Sequence, residues 1–513
     1  MQLFIRPSLV LAAALLVAAS CARAPVAPQP HTAAQTLQLC RQFLAEVDKA
    51  VARAKVADTQ AQSIGDFPYL RVDRFLASFR DEVLDDVAFN AWVQRLQRLA
   101  ERGRRVELNN LPAEQAEALR QRLPSAFGEK HGLLRAASDC GQRLRAHDLA
   151  TPEGRRKLRE AIHVSPEYVT WKRAVGLYAL TGNAVKAGIN KGHEDTHGVY
   201  AQALEDLPIH GALWRYTAPA VPAPMTVAEI REVLRRSIEN PLGIPEPTKH
   251  ERARLFATFA PTWQVDVVTD DDRIGTPVWP GLDAPTPSIN VQRPVVYRQL
   301  SHTRVKGEVL AQLNYVVWFP ARPKTSSFDY LGGHLDGITW RVTLSNDGTP
   351  LLFDSMHNCG CYHMFFPTER LRLRSFSYTP EDDLFEPPLV PQVVNPPAGG
   401  LTLRIAHRTH YIERVTDKPV PEGGVSTYSW AAYEALRSLP VDNRYRSLFR
   451  PDGVVPGTKR GERWFLWPTG VPHPGEMRQW GHHATAFVGR RHFDDPYLIE
   501  TLFELNTPQA ATR

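Results

Sequence analysis

Residues 337–357 read GITWRVTLSNDGTPLLFDSMH. Two runs of β-branched and aromatic residues flank Ser345-Asn346-Asp347-Gly348, a strong hairpin signal because glycine tolerates the positive φ of a tight turn. VVYRQL at 295–300 and EVLAQLNYVVWF at 308–319 have the same character, and LTLRIAHRTHYIERV at 401–415 alternates again. A mainly antiparallel β-rich domain is predicted over 291–505. Its His/Trp-rich C-terminal part is preceded by one helix in TYSWAAYEALRSL, 427–439.

Toward the N-terminus the apolar period changes from two to 3.6. Leu37, Cys40, Leu44, Val47 and Val51 form one stripe, and Val83, Val87, Trp92, Leu96 and Leu99 suggest a second. Leu133, Ala137, Cys140 and Leu144 form a third. These predict a helical bundle-like domain over 34–215. Residues 216–290 are rich in proline and read as a connecting region with one short helix at about 226–239. The chain as a whole reads as α+β.

The chain has 513 residues, 43% hydrophobic and 23% charged, which excludes a disordered tail, a collagen-like fibre and a polytopic membrane protein. A net charge of +6 is too small an excess for a nucleic-acid footprint, and no nucleic-acid partner is expected. The densest basic stretch is Arg155, Arg156, Lys157 and Arg159. It has Glu153 and Glu160 beside it and reads as a solvated helix face.

Residues 1–20, MQLFIRPSLVLAAALLVAAS, place Arg6 before an apolar run, and small residues lead into Cys21. The segment resembles a bacterial lipoprotein signal, although Ala18 stands where that family prefers Leu. The resemblance implies acylation at Cys21, a membrane partner through that lipid anchor, and localisation at the outer membrane with the globular part in the periplasm. Residues 21–33 read as a Pro/Ala-rich tether. An oxidising compartment would allow Cys40 and Cys140, on separate helix stripes, to form a disulfide.

Several groups are candidates for chemistry. His193-Glu194-Asp195-Thr196-His197 matches HExxH, which on a helix presents two imidazoles to one zinc and a carboxylate to its water. It resembles zincin metalloproteases over those residues alone. Asp195 departs from their apolar position, and Gly192 and Gly198 weaken the helix; Glu205 or Asp206 would be the third ligand. His357, Cys359, Cys361 and His363 share strand parity, and a bend at Gly360 would gather them as soft zinc ligands. A Cys359–Cys361 disulfide, structural or redox-active, and inert thiols remain open. His334 and Asp336, with His410 at a distance, match a facial triad for iron. His482, His483, His492, Asp494 and Asp495, with Trp464, Trp467 and Trp480, could line one pocket with His357 and His363. Asp494 and Asp495 also suit a turn or cap. No GxSxG elbow, Walker loop or dinucleotide fingerprint is present.

Two function classes follow. One is a metal-dependent hydrolase, zinc being the candidate cofactor, with a His/Cys/Asp site in the β-rich domain. The other is a non-catalytic envelope lipoprotein that binds a partner protein or a glycan. The recurrence of His and Cys within apolar strand contexts favours the first.

Overall fold

The computed structural model describes residues 32–122, 132–220, 223–375, 385–395, 400–417 and 423–506. The signal segment, Cys21 and nearly all of the tether lie outside them. Within them the chain is α+β, with the helices mainly N-terminal and antiparallel-rich sheets in the C-terminal part.

The first and third helical stripes form as read. Helix Ala33–Ala54 is opened by a Thr32–Gln35 capping box and buries Cys40, Leu44, Val47 and Val51. Helix Leu133–Asp148 packs on it, and Cys40 and Cys140 form a disulfide with Cα atoms 5.1 Å apart. The second stripe starts late. Helix Asp86–Asn110 is capped by Asp85, so Val83 precedes it, and both Val83 and Val87 are exposed while Trp92 and Leu96 are buried. A short hairpin, Gln62–Ile64 with Phe67–Val72, crosses these helices and contributes Tyr69, Leu70 and Val72 to their core. Helix Tyr178–Ala201 runs through Gly182, Gly188, Gly192 and Gly198 despite their cost to propensity.

The central sheet has six strands in the order Met364–Pro367, Pro350–His357, Gly333–Leu344, Glu308–Arg322, Val295–Val305, Ser429–Ala432. All neighbours are antiparallel except the last pair. The predicted turn holds: Gly348 has φ of +88° and donates to Ser345. Strand Glu308–Arg322 is buried on both faces. Leu313, Tyr315, Val317 and Phe319 enter one core while Val316 and Trp318 enter another, as a period of two requires.

Residues 216–290 carry more structure than a connector. Beside helix Val227–Ser237 they hold helix Lys249–Thr258 and strand Thr262–Val267, the centre of a second, five-stranded sheet. Its order is Ile412–Thr416, Thr402–Ile405, Thr262–Val267, Ala212–Thr217, Gly424–Thr427. Trp263, Val265, Leu403 and Ile405 from this sheet share a core with the inner face of the first.

The helix expected in 427–439 is not formed. Gly424–Thr427 pairs with the second sheet and Ser429–Ala432 with the first, leaving only the 3-10 turn Tyr433–Arg437. Tyr428, buried at the crossing, donates to Pro261 O at 3.1 Å. Two open sheet edges offer backbone partners here, and tertiary pairing outweighs the fraction of a kilocalorie per residue that helix propensity supplies.

Candidate functional site: a basic cleft beside saturated polar clusters

Arg95, Arg98, Arg102 and Arg105 recur at spacings of 3, 4 and 3 on helix Asp86–Asn110 and therefore share one face. That face forms one wall of a cleft of about 640 Å³ between the helical domain and the β-rich domain. The opposite wall is helix Lys249–Thr258, opened by a Thr248–Glu251 capping box, which presents Lys249 and Arg252. The floor is strand Val295–Val305, where Arg298 to His302 are part-exposed between buried ends. Phe75, Tyr433 and Trp480 also border it, with Tyr433 and Trp480 buried.

The charges of this cleft do not cancel. Asp58 is paired with Arg437 at 2.8 Å, and Glu246 with Arg95 at 3.0 Å. Glu434 also faces Arg437, and Asp494 is paired with Arg74 at 3.1 Å. Asp73 caps a helical turn by accepting from Leu76 N at 2.8 Å, and burial pushes its carboxyl up to about 6. Among the described residues Arg102, Arg105, Lys249, Arg252 and Arg298 have no carboxylate within ion-pair distance. Arg298 instead lies over the Trp430 ring at 4.6 Å; its guanidinium is lowered by burial and by Arg252 among other neighbours. His302 is pushed down to about 4 by burial and donates from Nε2 to Pro245 O at 2.8 Å, so at neutral pH it is an uncharged floor residue.

The residues singled out in the sequence lie elsewhere and are largely committed to one another. Asp336 is fully buried. Nδ1 of His410 lies 2.9 Å from it, Nδ1 of His357 3.4 Å and the Arg460 guanidinium 3.4 Å. Burial would raise this carboxyl, but Arg460, His357 and His410 hold it well below its usual range. His410, at φ of +54°, stacks on Phe319 with ring centres 4.0 Å apart. Thus Asp336 and His410 do meet, but His334 does not join them. Leu335 between them has φ of +52°, which breaks the strand alternation, and His334 Nε2 donates to Pro287 O at 2.7 Å.

The run His357, Cys359, Cys361 and His363 does not close on one point. Gly360, with φ of +90°, turns the chain so that His357 N donates to Cys361 O at 3.0 Å. His363 goes to a separate cluster: Nε2 lies 2.9 Å from Asp354 and Nδ1 3.1 Å from Thr485 Oγ1. Asp354 also accepts from Arg341 Nε at 2.9 Å, and that guanidinium covers Phe493. Cys359 and Cys361 are free buried thiols, not a disulfide. Their hydrogen bond lowers Cys359 and, together with burial, raises Cys361.

The C-terminal group is dispersed as clasps between segments. His482 Nδ1 lies 3.2 Å from Glu167 and its Nε2 3.0 Å from Thr59 O. His483 Nε2 donates to Asn358 O at 3.2 Å and His492 Nε2 to Pro166 O at 2.6 Å. Asp495 caps Tyr497 N at 2.9 Å. On helix Tyr178–Ala201, His193 is part-buried and lowered to about 4 by burial first, then by Arg491 and His197, while Glu194 and His197 are exposed. Glu205 and Asp206 lie in the 3-10 turn that follows. No three His, Cys, Asp or Glu side chains converge as a metal site among the described residues. Neither the HExxH set, the 357–363 set nor the facial triad is gathered.

Sequence reasoning missed Arg102, Arg105, Lys249, Arg252 and Arg298. The 3-4-3 arginine spacing was a readable signal, but the opposing wall comes from a segment that reads as a connector. The Arg155–Arg159 stretch, by contrast, is satisfied locally: Arg156 pairs with Glu153 and Glu160, and Arg159 covers Trp92. Comparison of the chain with protein-family models, with curated proteins and with solved structures finds no match.

Proposed function

We propose that this protein binds a multiply charged anion, of the class of a phosphate- or carboxylate-bearing glycan, in the cleft between its helical and β-rich domains. The observation that carries the reading is the unbalanced charge. Arg102, Arg105, Lys249, Arg252 and Arg298 face a cavity whose carboxylates are already paired or used as caps. Arginine forks suit oxyanions, and the part-exposed Phe75 ring suits the apolar face of a sugar. The metal-dependent hydrolase reading has less support, because the imidazoles and carboxylates of the β-rich domain are engaged with each other or with backbone carbonyls.

The test is calorimetric titration with pyrophosphate and with an oligosaccharide of uronic acids. Binding is expected to weaken as salt rises. Arg102→Ala/Arg105→Ala is expected to lower affinity about ten- to a hundredfold, since a charge-assisted hydrogen bond contributes about 1.5–3 kcal/mol. No binding of either probe, or binding untouched by the double variant, overturns the reading.

The same proposal places the protein outside the cytosol, acylated at Cys21 and held at the outer membrane. The Cys40–Cys140 disulfide supports export, since such bonds persist in oxidising compartments. Among the described residues no helix is long and apolar enough to cross a membrane. Fatty-acid labelling of cells should mark the wild type and not Cys21→Ala; equal labelling would refute lipidation.

A further inference from the structure

We infer that a second surface, which shares no residue with the lining of the cleft and is independent of the cleft reading, docks on an anionic phospholipid bilayer. It is built from the turn Thr170–Val175, the start of helix Tyr178–Ala201 and the segment 463–470. Trp171, Trp464 and Trp467 are the tryptophans that the described residues leave exposed, and all lie here with Phe465, Leu177 and Leu180. Trp464 is 68% exposed and Leu180 71%.

The segments that carry these exposed side chains pack against one another. Val169 N donates to Gly470 O at 2.7 Å and joins the first helical turn to the tryptophan segment. Gly461 N donates to Tyr330 O at 2.9 Å, and the Tyr330 and Phe465 rings lie 4.8 Å apart. A contiguous apolar face of this kind on a folded chain marks an interaction site.

The rim decides the occupant. Lys324 and Lys459 are exposed, and Arg463 lies over the Trp464 ring at 4.8 Å; none has a carboxylate within ion-pair distance among the described residues. Of the carboxylates nearest in the chain, Glu462 is buried with its carboxyl raised. Asp329 is part-exposed and stays ionised, held below its usual range by the Thr325, Leu331 and Gly332 N–H groups, so the exposed rim there carries three cations against one carboxylate. Indole rings with one polar edge, leucines beside them and a cationic border match the interface of a negatively charged bilayer.

The experiment uses the full chain carrying Cys21→Ser, so that no acyl group contributes. Vesicles of phosphatidylglycerol with brominated phosphatidylcholine are compared with vesicles of brominated phosphatidylcholine alone, and tryptophan quenching is read. Residues 1–21 contain no tryptophan, so insertion of the signal segment is silent in this readout. Quenching on the anionic vesicles of up to about a quarter is expected, because Trp171, Trp464 and Trp467 are part of a total of 11 tryptophans. Leu177→Ser/Leu180→Ser keeps every tryptophan and should abolish the quenching. Lys324→Glu/Lys459→Glu should abolish the preference for anionic vesicles. Circular dichroism monitors folding, and Phe465→Ser is the substitute if the leucine pair misfolds. An unquenched parent, or a leucine variant quenched like the parent, overturns the proposal. A dimer seen in sedimentation that the leucine variant dissociates, without quenching, assigns the face to a second copy and also overturns it.

Discussion

The cleft and the Asp336 cluster are both crowded with ionisable groups, yet they are built on opposite rules. Around Asp336 a buried carboxylate has His357, His410 and Arg460 within 3.4 Å. Around the cleft, carboxylates are spoken for and cations are left over. A buried charge removed from water is tolerated only when paired. A part-exposed cation beside a cavity keeps its water and remains free to exchange it for a ligand. A dense cluster of ionisable side chains therefore says little about function until the partners are counted.

The largest expected effect tests the saturated side of this contrast. Asp336→Ala would strand Arg460 beside two imidazoles in the interior, and a loss of about 3–5 kcal/mol is expected in urea denaturation. Pyrophosphate affinity measured below the transition should stay unchanged. A mild loss of stability would mean that the cluster is more hydrated than its burial indicates, and would weaken the contrast.

The next effect is a pH dependence with a fixed sign. His302, His363 and His492 are lowered to about 4, and His483 to about 3, in each case first by burial. Their folded values lie below the unfolded value of about 6.5, so the native state binds fewer protons between the two. Stability from these groups is complete above about pH 6.5 and is lost as pH falls toward 4 and 3. The expected slope is about 1.4 kcal/mol per pH unit for each group. His482 runs the other way. Burial lowers it, but Glu167 and Thr59 raise it above its ordinary value, so its contribution is complete below about pH 6.5 and is lost as pH rises through the folded value. Melting curves across pH 4–9 should show a steep acid limb and a shallow alkaline one, and His482→Gln should remove the alkaline limb.

A smaller effect sharpens the cleft side. Arg252→Ala should change folding stability by no more than about 0.5 kcal/mol, as exposed substitutions do, while weakening pyrophosphate binding. A large stability loss would show that this cation is part of the frame. The smallest effect comes from Asp73. With its carboxyl at about 6, acidification from pH 7 to 5 removes one negative charge from the cleft wall, and anion binding should tighten over that interval. Asp73→Asn should flatten the profile.

Much of the architecture was legible because it rests on local periodicity. The 3-4 stripes through Cys40 and Cys140 identified both helices and the disulfide between them. Asp347-Gly348 located the central hairpin, and helix Val227–Ser237 fell where its apolar spacing placed it. The segment 427–439 was misread because its alanines and leucines favour helix, while two sheet edges contributed by residues 212–217 and 295–305 captured it as strand. The sets at 334–336 and 357–363 depart from their spacing for a related reason. Spacing shows which side chains share a face of an ideal element, but Leu335 and Gly360 leave that ideal with positive φ, and the imidazoles found partners outside their own segments.

The sequence by itself thus determined the α+β class, the order of helical and β-rich parts, the disulfide pair and the main hairpin. Each of these depends on residues close in the chain, or on apolar patterns that repeat along one element. Only the tertiary structure decided which charges are satisfied and which are not. Asp336 meets His410, and Arg102 faces Lys249 and Arg298, across stretches of chain far longer than any periodicity. Electrostatic pairing and desolvation act through space over a few ångströms, so their outcome is set by the packing of distant segments.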